Sequence, residues 1–363
     1  MTERERLDLA GTEAGTTARR KADHIRICLE EQVAGRGIGT GLGRYRFRHN
    51  ALPELDFASI DTTAAFLGKT LKAPLLVSSM TGGTGSAGTI NLRLAEAAET
   101  RGWAMGLGSM RAAIENDRLA ATFRVRSAAP TIPIVANLGA VQLNYGYGAD
   151  ECRRAVELAE ADALVLHLNG LQEIFQPEGD TDFAGLLQRI EEVCRTVGVP
   201  VGVKEVGWGI DGATAARLAD AGAAFIDCAG AGGTSWSQVE KFRGGPGIRA
   251  MAAEAFADWG IPTAECVADI RRALPDMPLI ASGGLATGVD AAKAIALGAD
   301  IAGYGRALLP RAAAGEPAPD GGTLLQQLER IELELRAAMF GIGAGSLAEL
   351  RHTDRLVPND GGG

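Results

Sequence analysis

The chain has 363 residues, 46% of them hydrophobic, and a net charge of −9. That apolar content builds a large core and excludes global disorder, while the acidic balance argues against a nucleic-acid partner. No apolar run approaches the ~20 residues of a membrane span, and no signal-peptide apolar region opens the chain. Cys28, Cys152, Cys194, Cys228 and Cys266 are scattered without a CxxC pair. Neither a disulfide framework nor a zinc site is expected, and a reducing cytoplasm is the expected setting.

Residues 1–17 mix Gly, Thr and Glu without periodicity and read as a tail. Arg19–Glu31 reads as a short helix. Gly35–Gly43 is Gly-rich, but no strand precedes it and the GxGxxG spacing fails, so a flexible loop is expected there. Residues 44–73 read as a small layer, so that 18–73 form an N-terminal extension ending at Ala73-Pro74. Eight short apolar runs follow, each ending in small or polar residues: Leu75–Met80, Trp103–Leu107, Ile132–Gly139, Ala163–Asn169, Val199–Val206, Ala223–Gly230, Leu279–Gly284 and Asp300–Arg306. Helices are expected at Thr89–Arg101, Leu119–Ser127, Glu151–Ala161, Phe183–Val197, Gly212–Ala221, Val267–Leu274 and Gly288–Leu297. Strands alternating with amphipathic helices imply parallel βαβ units. Eight such units fit a closed α/β (β/α)8 TIM barrel over 74–351, leaving 352–363 as a tail. Residues 231–262, Gly-rich and carrying Trp236 and Trp259, exceed an ordinary βα connection and read as a functional loop. Leu324–Met339 is either the eighth outer helix or a cap across the barrel end.

Such barrels place chemistry at the C-terminal ends of their strands. Here those ends carry Ser79, Met80, Thr81, Ser109, Asn137, His167, Asn169, Lys204, Thr234, Gly284 and Arg306. The turns Ser282–Gly288 and Gly303–Arg306 follow strands seven and eight, where glycine amides and Arg306 suit a phosphate. Lys204 shares an inward face with Gly202, and a lysine in a barrel mouth needs an anion or an electron-rich cofactor opposite. Two roles stay open for it: a Schiff-base lysine, or a cation beside a reduced flavin. His167, Asn169, Gln172 and Glu173 converge within seven positions, and Glu173 could hold Mg²⁺ with water and substrate phosphate. Ser109, Met110 and Arg111 follow strand two. Arg20-Lys21, if folded over the mouth, could clamp a diphosphate.

Arg20-Lys21-x-x-His24, Ser79-Met80-Thr81-Gly82, Ser109-x-Arg111, Asn137-Leu138-Gly139, His167-x-Asn169-x-x-Gln172-Glu173, Lys204-Glu205 and Gly232-Gly233-Thr234-Ser235-Trp236 together resemble the type 2 isopentenyl-diphosphate isomerases, from about Arg20 to Arg351. The resemblance implies an FMN-dependent barrel interconverting isopentenyl and dimethylallyl diphosphate with reduced flavin and Mg²⁺, NADPH serving only to reduce the flavin. By that likeness Ser79, Met80, Thr81, Ser109, Asn137, Lys204, Thr234, Gly284, Leu285, Ala286, Gly305 and Arg306 would hold FMN. Arg20, Lys21, Ser109, Met110, Arg111, His167, Asn169 and Gln172 would surround the substrate beneath the 18–73 extension, and Glu173 would bind Mg²⁺. Lys204, His167 and Gln172 would act in catalysis beside the flavin. A homo-oligomer, tetramer or octamer, is expected, with no membrane partner.

The nearest rival is an FMN-dependent 2-hydroxy-acid dehydrogenase, which shares the phosphate turns. It needs a histidine base after strand six, where this chain reads Cys228-Ala229-Gly230-Ala231-Gly232-Gly233-Thr234.

Overall fold

The computed structural model describes residues 19–315 and 321–359; the tail expected at residues 1–17 lies outside them. Eight parallel strands close into one barrel: β1 (Leu75–Val77), β2 (Ala104–Gly106), β3 (Ile134–Gly139), β4 (Ala163–Leu168), β5 (Val201–Glu205), β6 (Phe225–Asp227), β7 (Leu279–Ala281) and β8 (Ile301–Tyr304). Each falls inside an apolar run read from the sequence. The pairing runs in chain order and closes β8 onto β1.

Alternation along each strand sorts the side chains. One set faces the surrounding helices and forms the main core. The other fills the barrel with Leu76, Ala104, Val135, Ala163, Val165, Phe225, Ile280 and Ile301. A hairpin, Ala64–Phe66 with Lys69–Leu71, plugs the N-terminal end by adding Phe66 and Leu71 to that cluster. Its turn residues Leu67 and Gly68 both have positive φ, as a two-residue hairpin turn with the right twist requires. One step further along the same inward face the residues become polar: Asn137 on β3, His167 on β4, Lys204 on β5 and Asp227 on β6. Apolar filling below therefore gives way to a polar floor above.

The outer layer resolves one open alternative and differs from expectation in three places. Leu324–Ile342 is the eighth outer helix rather than a cap. It lies between Gly288–Ala296, where the Gly288 amide donates to Glu334 at 2.7 Å, and Gly85–Arg101, where Arg101 Nε donates to Glu332 at 3.1 Å. After β2 the expected Leu119–Ser127 helix is a short helix, Arg111–Glu115, and a 3₁₀ segment, Asp117–Phe123. Asn116 ends the first and caps the second by accepting from the Arg118 amide. The 231–262 region contains two helices, Trp236–Gly244 and Ile248–Glu254. Gly35–Gly43 is strapped down: Ala34 bridges Thr234, the Arg36 amide donates to Ala257 O, and Thr40 O accepts from Ala264.

Near the C-terminus, Leu356–Pro358 pairs antiparallel with Tyr45–Phe47. No described helix is long and apolar enough to cross a membrane.

Gly202 shows how tightly the barrel is filled. A Cβ there would stand 2.2 Å from the Phe225 ring, which itself packs edge-on against Phe66. Gly202→Ala should cost about 1–3 kcal/mol in chemical denaturation, as overpacking of a dense core does. Adding Phe225→Leu should recover part of the loss; a double variant no more stable than Gly202→Ala would contradict this packing.

Candidate functional site

The polar floor opens into a cavity of about 570 Å³ at the C-terminal ends of the strands. Every residue named from the sequence as a site candidate lines it except Met110. Met110 is fully buried, its amide donating to Asn137 O at the start of Arg111–Glu115. It supports the wall from behind.

On the floor, His167 Nδ1 lies 2.8 Å from Asn137 Oδ1, while Asn137 Nδ2 donates to Leu107 O. Since that amide oxygen is an acceptor, Nδ1 carries the proton and Nε2 is the bare nitrogen. Burial, with the charges of Lys204 and Lys21 nearby, lowers the imidazole to about 3 and keeps it neutral. Lys204 stands beside it in register, with Asp227 on its other flank. Asp227 accepts from Ser282 Oγ at 2.6 Å and from the Ala229 amide at 3.3 Å. Ala229 has φ 38°, a strained value for a residue with a Cβ, so this carboxylate helps fix the turn after β6.

At one end of the cavity lie the turns after β7 and β8: Gly284, Leu285, Ala286, Gly305 and Arg306. Gly283 and Gly284 have positive φ, and a Cβ on Gly284 would meet Gly232 O at 2.5 Å. Only glycine permits this close approach of two loops. Among the described residues the Arg306 side chain has no hydrogen-bonding or ionic partner. Ser78 Oγ and Thr81 Oγ1, after β1, are buried polar atoms without a partner. Unpaired buried hydroxyls, a glycine turn and a free guanidinium suit a flat polar cofactor with a phosphate tail, and an FMN fits them.

The opposite end is built by the 19–30 helix and the segment after β4. Arg20 and Lys21 face the cavity and make no side-chain hydrogen bond among the described residues. Burial, reinforced by the charges of Arg20 and Arg111, lowers Lys21 to about 7. His24 Nε2 donates to Glu240 Oε1 at 2.9 Å, and its ring meets Trp236 edge-on at 5.1 Å. Glu240 also accepts from Gln172 Nε2 at 3.2 Å and Arg243 Nε at 2.6 Å. Burial would push this carboxyl up, but the bond from His24 and the Arg243 charge bring it down to about 2.

Glu173, after β4, accepts from Asn169 Nδ2 at 2.7 Å, Gln176 Nε2 at 3.3 Å and the Asp180 amide at 2.9 Å. Burial dominates and raises its carboxyl above the usual range. Its Oε1 keeps a lone pair beyond the Asn169 bond, and the buried Asn169 Oδ1 has no partner. One carboxylate and one amide oxygen fit a magnesium ion that keeps most of its ligands as water and phosphate. No cluster of three or more His, Cys, Asp or Glu able to enclose a metal exists among the described residues.

Glu240, Asp227, Asp180 and Gln142 escaped sequence reasoning. Asp227 had a signal, since the period-two rule from Phe225 turns it inward; Glu240 lay in a stretch read as loop.

A family model described as FMN-dependent dehydrogenase matches residues 157–356. The chain is 55% identical over 337 residues, 93% of this chain and 95% of the relative, to an isopentenyl-diphosphate delta-isomerase of Oceanobacillus iheyensis. It is 51% identical to one from Nostoc sp., covering 95% of this chain and 97% of that one. It is 50% identical to one from Xanthobacter autotrophicus, covering 92% and 96%. Among solved structures, a mandelate oxidase with (S)-2-phenylpropionate is similar at TM-score 0.62 and 23% identity, covering 95% of this chain and 97% of that one. At that identity the likeness concerns the fold.

The Lys21 geometry gives a signed expectation. An anion seated against Lys21 restores its ordinary affinity for a proton, so between pH 7 and 10.5 binding should draw in protons. Titrating sulfate calorimetrically at pH 8.5, in buffers of different ionisation heat, should show uptake approaching one proton. Uptake should vanish at pH 6 and in Lys21→Met. Proton-neutral binding at pH 8.5 would place the anion elsewhere.

Proposed function

The chain belongs to the isopentenyl-diphosphate delta-isomerase family, and we propose that it interconverts isopentenyl and dimethylallyl diphosphate with reduced FMN and Mg²⁺. The observation that carries this reading is the pair of unpartnered cations, Arg20 and Lys21, facing the same cavity as Lys204 and the phosphate-type turns. A diphosphate at one end and a flavin phosphate at the other supply the two anions this charge pattern requires.

Moving an isolated double bond needs a proton delivered to the terminal methylene and another removed from the allylic carbon. An unactivated alkene is a very weak base, so water must be kept away. Arg20 and Lys21 hold the diphosphate, and Glu173 would hold Mg²⁺ to complement its charge. Asn169, Gln172 and His167 enclose the alkenyl group, Gln172 oriented by its bond to Glu240. The 19–30 helix closes the space above. Reduced FMN supplies an acid–base ring nitrogen when bound. Ser79, Met80, Thr81, Ser109, Asn137 and Thr234 would line its ring, and the turns at Gly284–Ala286 and Gly305-Arg306 would take its phosphate. Lys204 would face the ring rather than form a Schiff base. NADPH enters only as a reductant, with no net redox change. The five free cysteines suit a reducing, cytoplasmic setting, and the working form is a tetramer or octamer.

The dehydrogenase reading is favoured by the family model alone. Against it, the turn after β6 presents Cys228, Ala229 and Gly230, none of which can serve as the base that oxidation of a hydroxy acid requires.

Assayed anaerobically, the protein should turn over isopentenyl diphosphate only after its flavin is reduced. Lys204→Ala should lower the rate by about 10²–10⁴-fold or lose FMN. Equal turnover by oxidised or flavin-free protein would end this reading.

Glu173→Gln should raise the magnesium concentration for half-maximal rate by at least about tenfold, with flavin content near that of the wild type. An unchanged magnesium titration would make Glu173 a structural carboxylate.

A further inference from the structure

Arg111 reaches the substrate end of the cavity from the far side, and its guanidinium is gripped along two edges. Nε donates to Glu115 Oε1 at 2.6 Å, and Nη1 donates to Asp180 Oδ2, also at 2.6 Å. Nη2 has no hydrogen-bond partner among the described residues, and Arg111 lines the cavity. Two carboxylates thus fix the plane of the group and leave one amino edge for a ligand.

Asp180 does more than hold that arginine. Its Oδ2 also accepts from Gln142 Nε2 at 3.0 Å, and Gln142 lines the same cavity after β3. Its own amide donates to Glu173 Oε2 at 2.9 Å. One residue therefore joins the segments that follow β2, β3 and β4 at the substrate end. Its segment is itself pinned. A Cβ on Gly179 would fall 1.9 Å from Glu173 O, so the chain runs hard against the Glu173 backbone. Gln176 O accepts from Arg249, and Glu178 pairs with Arg243 at 2.8 Å.

We propose that Asp180 is a positioning residue for diphosphate recognition: it holds the Arg111 guanidinium, the Gln142 amide and the Glu173 carboxylate in one arrangement against the ligand. This rests on the reading that the substrate is a diphosphate. Asp180 does not line the cavity and touches no substrate, so it acts through the residues it holds.

Charge and position predict opposite signs here, which makes the role testable. A carboxylate near an anion repels it, so if charge alone mattered, removing Asp180 would tighten binding. If position matters, removal frees a long side chain to wander and binding weakens. The measurement is calorimetric titration of the purified holoprotein with inorganic pyrophosphate at fixed magnesium. Asp180→Ala should weaken binding at least tenfold. Asp180→Asn, which keeps an acceptor without the charge, should recover most of the loss. On an Arg111→Gln background, Asp180→Ala should cost clearly less than on the wild type, the remainder passing through the Gln142 amide that Asp180 also holds. FMN absorbance and melting temperature, recorded on each variant, separate this effect from general loosening. Binding as tight as wild type or tighter in Asp180→Ala would overturn the proposal, as would an undiminished effect on the Arg111→Gln background. A wild-type protein that binds no pyrophosphate would bring down the diphosphate reading itself, and this role with it. Wild-type binding with an unaffected Asp180→Ala variant would remove this role alone.

Discussion

A cation taken out of water must be answered by a carboxylate or by a ligand, and this barrel mouth gathers Arg20, Lys21, Arg111, Lys204 and Arg306 around one cavity. The protein answers some of them. Arg111 lies between Glu115 and Asp180, and Lys204 donates to the Glu205 backbone carbonyl. Arg20, Lys21 and Arg306 are left without a side-chain partner among the described residues. The unanswered charges sit at opposite ends of the cavity, on the 19–30 helix and on the turn after β8. Polarity alone thus asks for a ligand, or a pair of ligands, negative at both ends and accommodating in the middle.

The roof over this cavity hangs on a single carboxylate. Glu240 is only 1% exposed, yet it receives hydrogen bonds from His24, Gln172 and Arg243. These donors come from the N-terminal helix, from the segment after β4 and from its own helix, Trp236–Gly244. An ionised group so deeply buried is tolerable only with this many donors, and each donor would in turn be orphaned without it. Arg243 extends the network to Glu178, which lies two residues from Asp180. The helices after β6 are therefore structural members of the mouth, a role no ordinary βα loop could fill.

Much of this was legible in the sequence because the rules involved are local. An apolar run marks a strand, alternation says which side chains turn inward, and the C-terminal end of each run marks the mouth. Those rules placed Lys204, His167, Asn137 and Thr81 without any knowledge of contacts. What stayed hidden was set by partners distant in the chain. Glu240 meets His24 across 216 positions, and Asp180 meets Arg111 across 69. Each carboxylate alone looks like any solvated acid. The two helices in 231–262 were obscured by their glycine-rich flanks, which read as loop until His24 and Trp236 are seen to pack together. Met110 went astray for a different reason: its place beside Ser109 and Arg111 suggested the cavity, but starting a helix there turns its side chain into the core.

The fold is similar to that of a mandelate oxidase, so the choice of chemistry rests on which proton acceptors the mouth contains. General bases work best with a pKa near the working pH. His167 is held at about 3 by burial and neighbouring cations, and Glu240 at about 2 by His24 and Arg243 despite its burial. Both are far too weak to draw a proton from a hydroxy acid. Glu173 is pushed upward by burial, but three donors bond its oxygens and the lone pair left on Oε1 is the one suited to Mg²⁺. His24 is lowered by burial, and its Nε2 proton is committed to Glu240. Lys21, lowered to about 7 and without a side-chain partner among the described residues, is free and matched, but it sits at the end of the cavity opposite the turns after β7 and β8. The same charges that suit the mouth to two phosphates disarm His167 and Glu240 as bases. Oxidation of a hydroxy acid would need a base that the turn after β6, Cys228-Ala229-Gly230, does not supply, and the isomerase reading asks for none there.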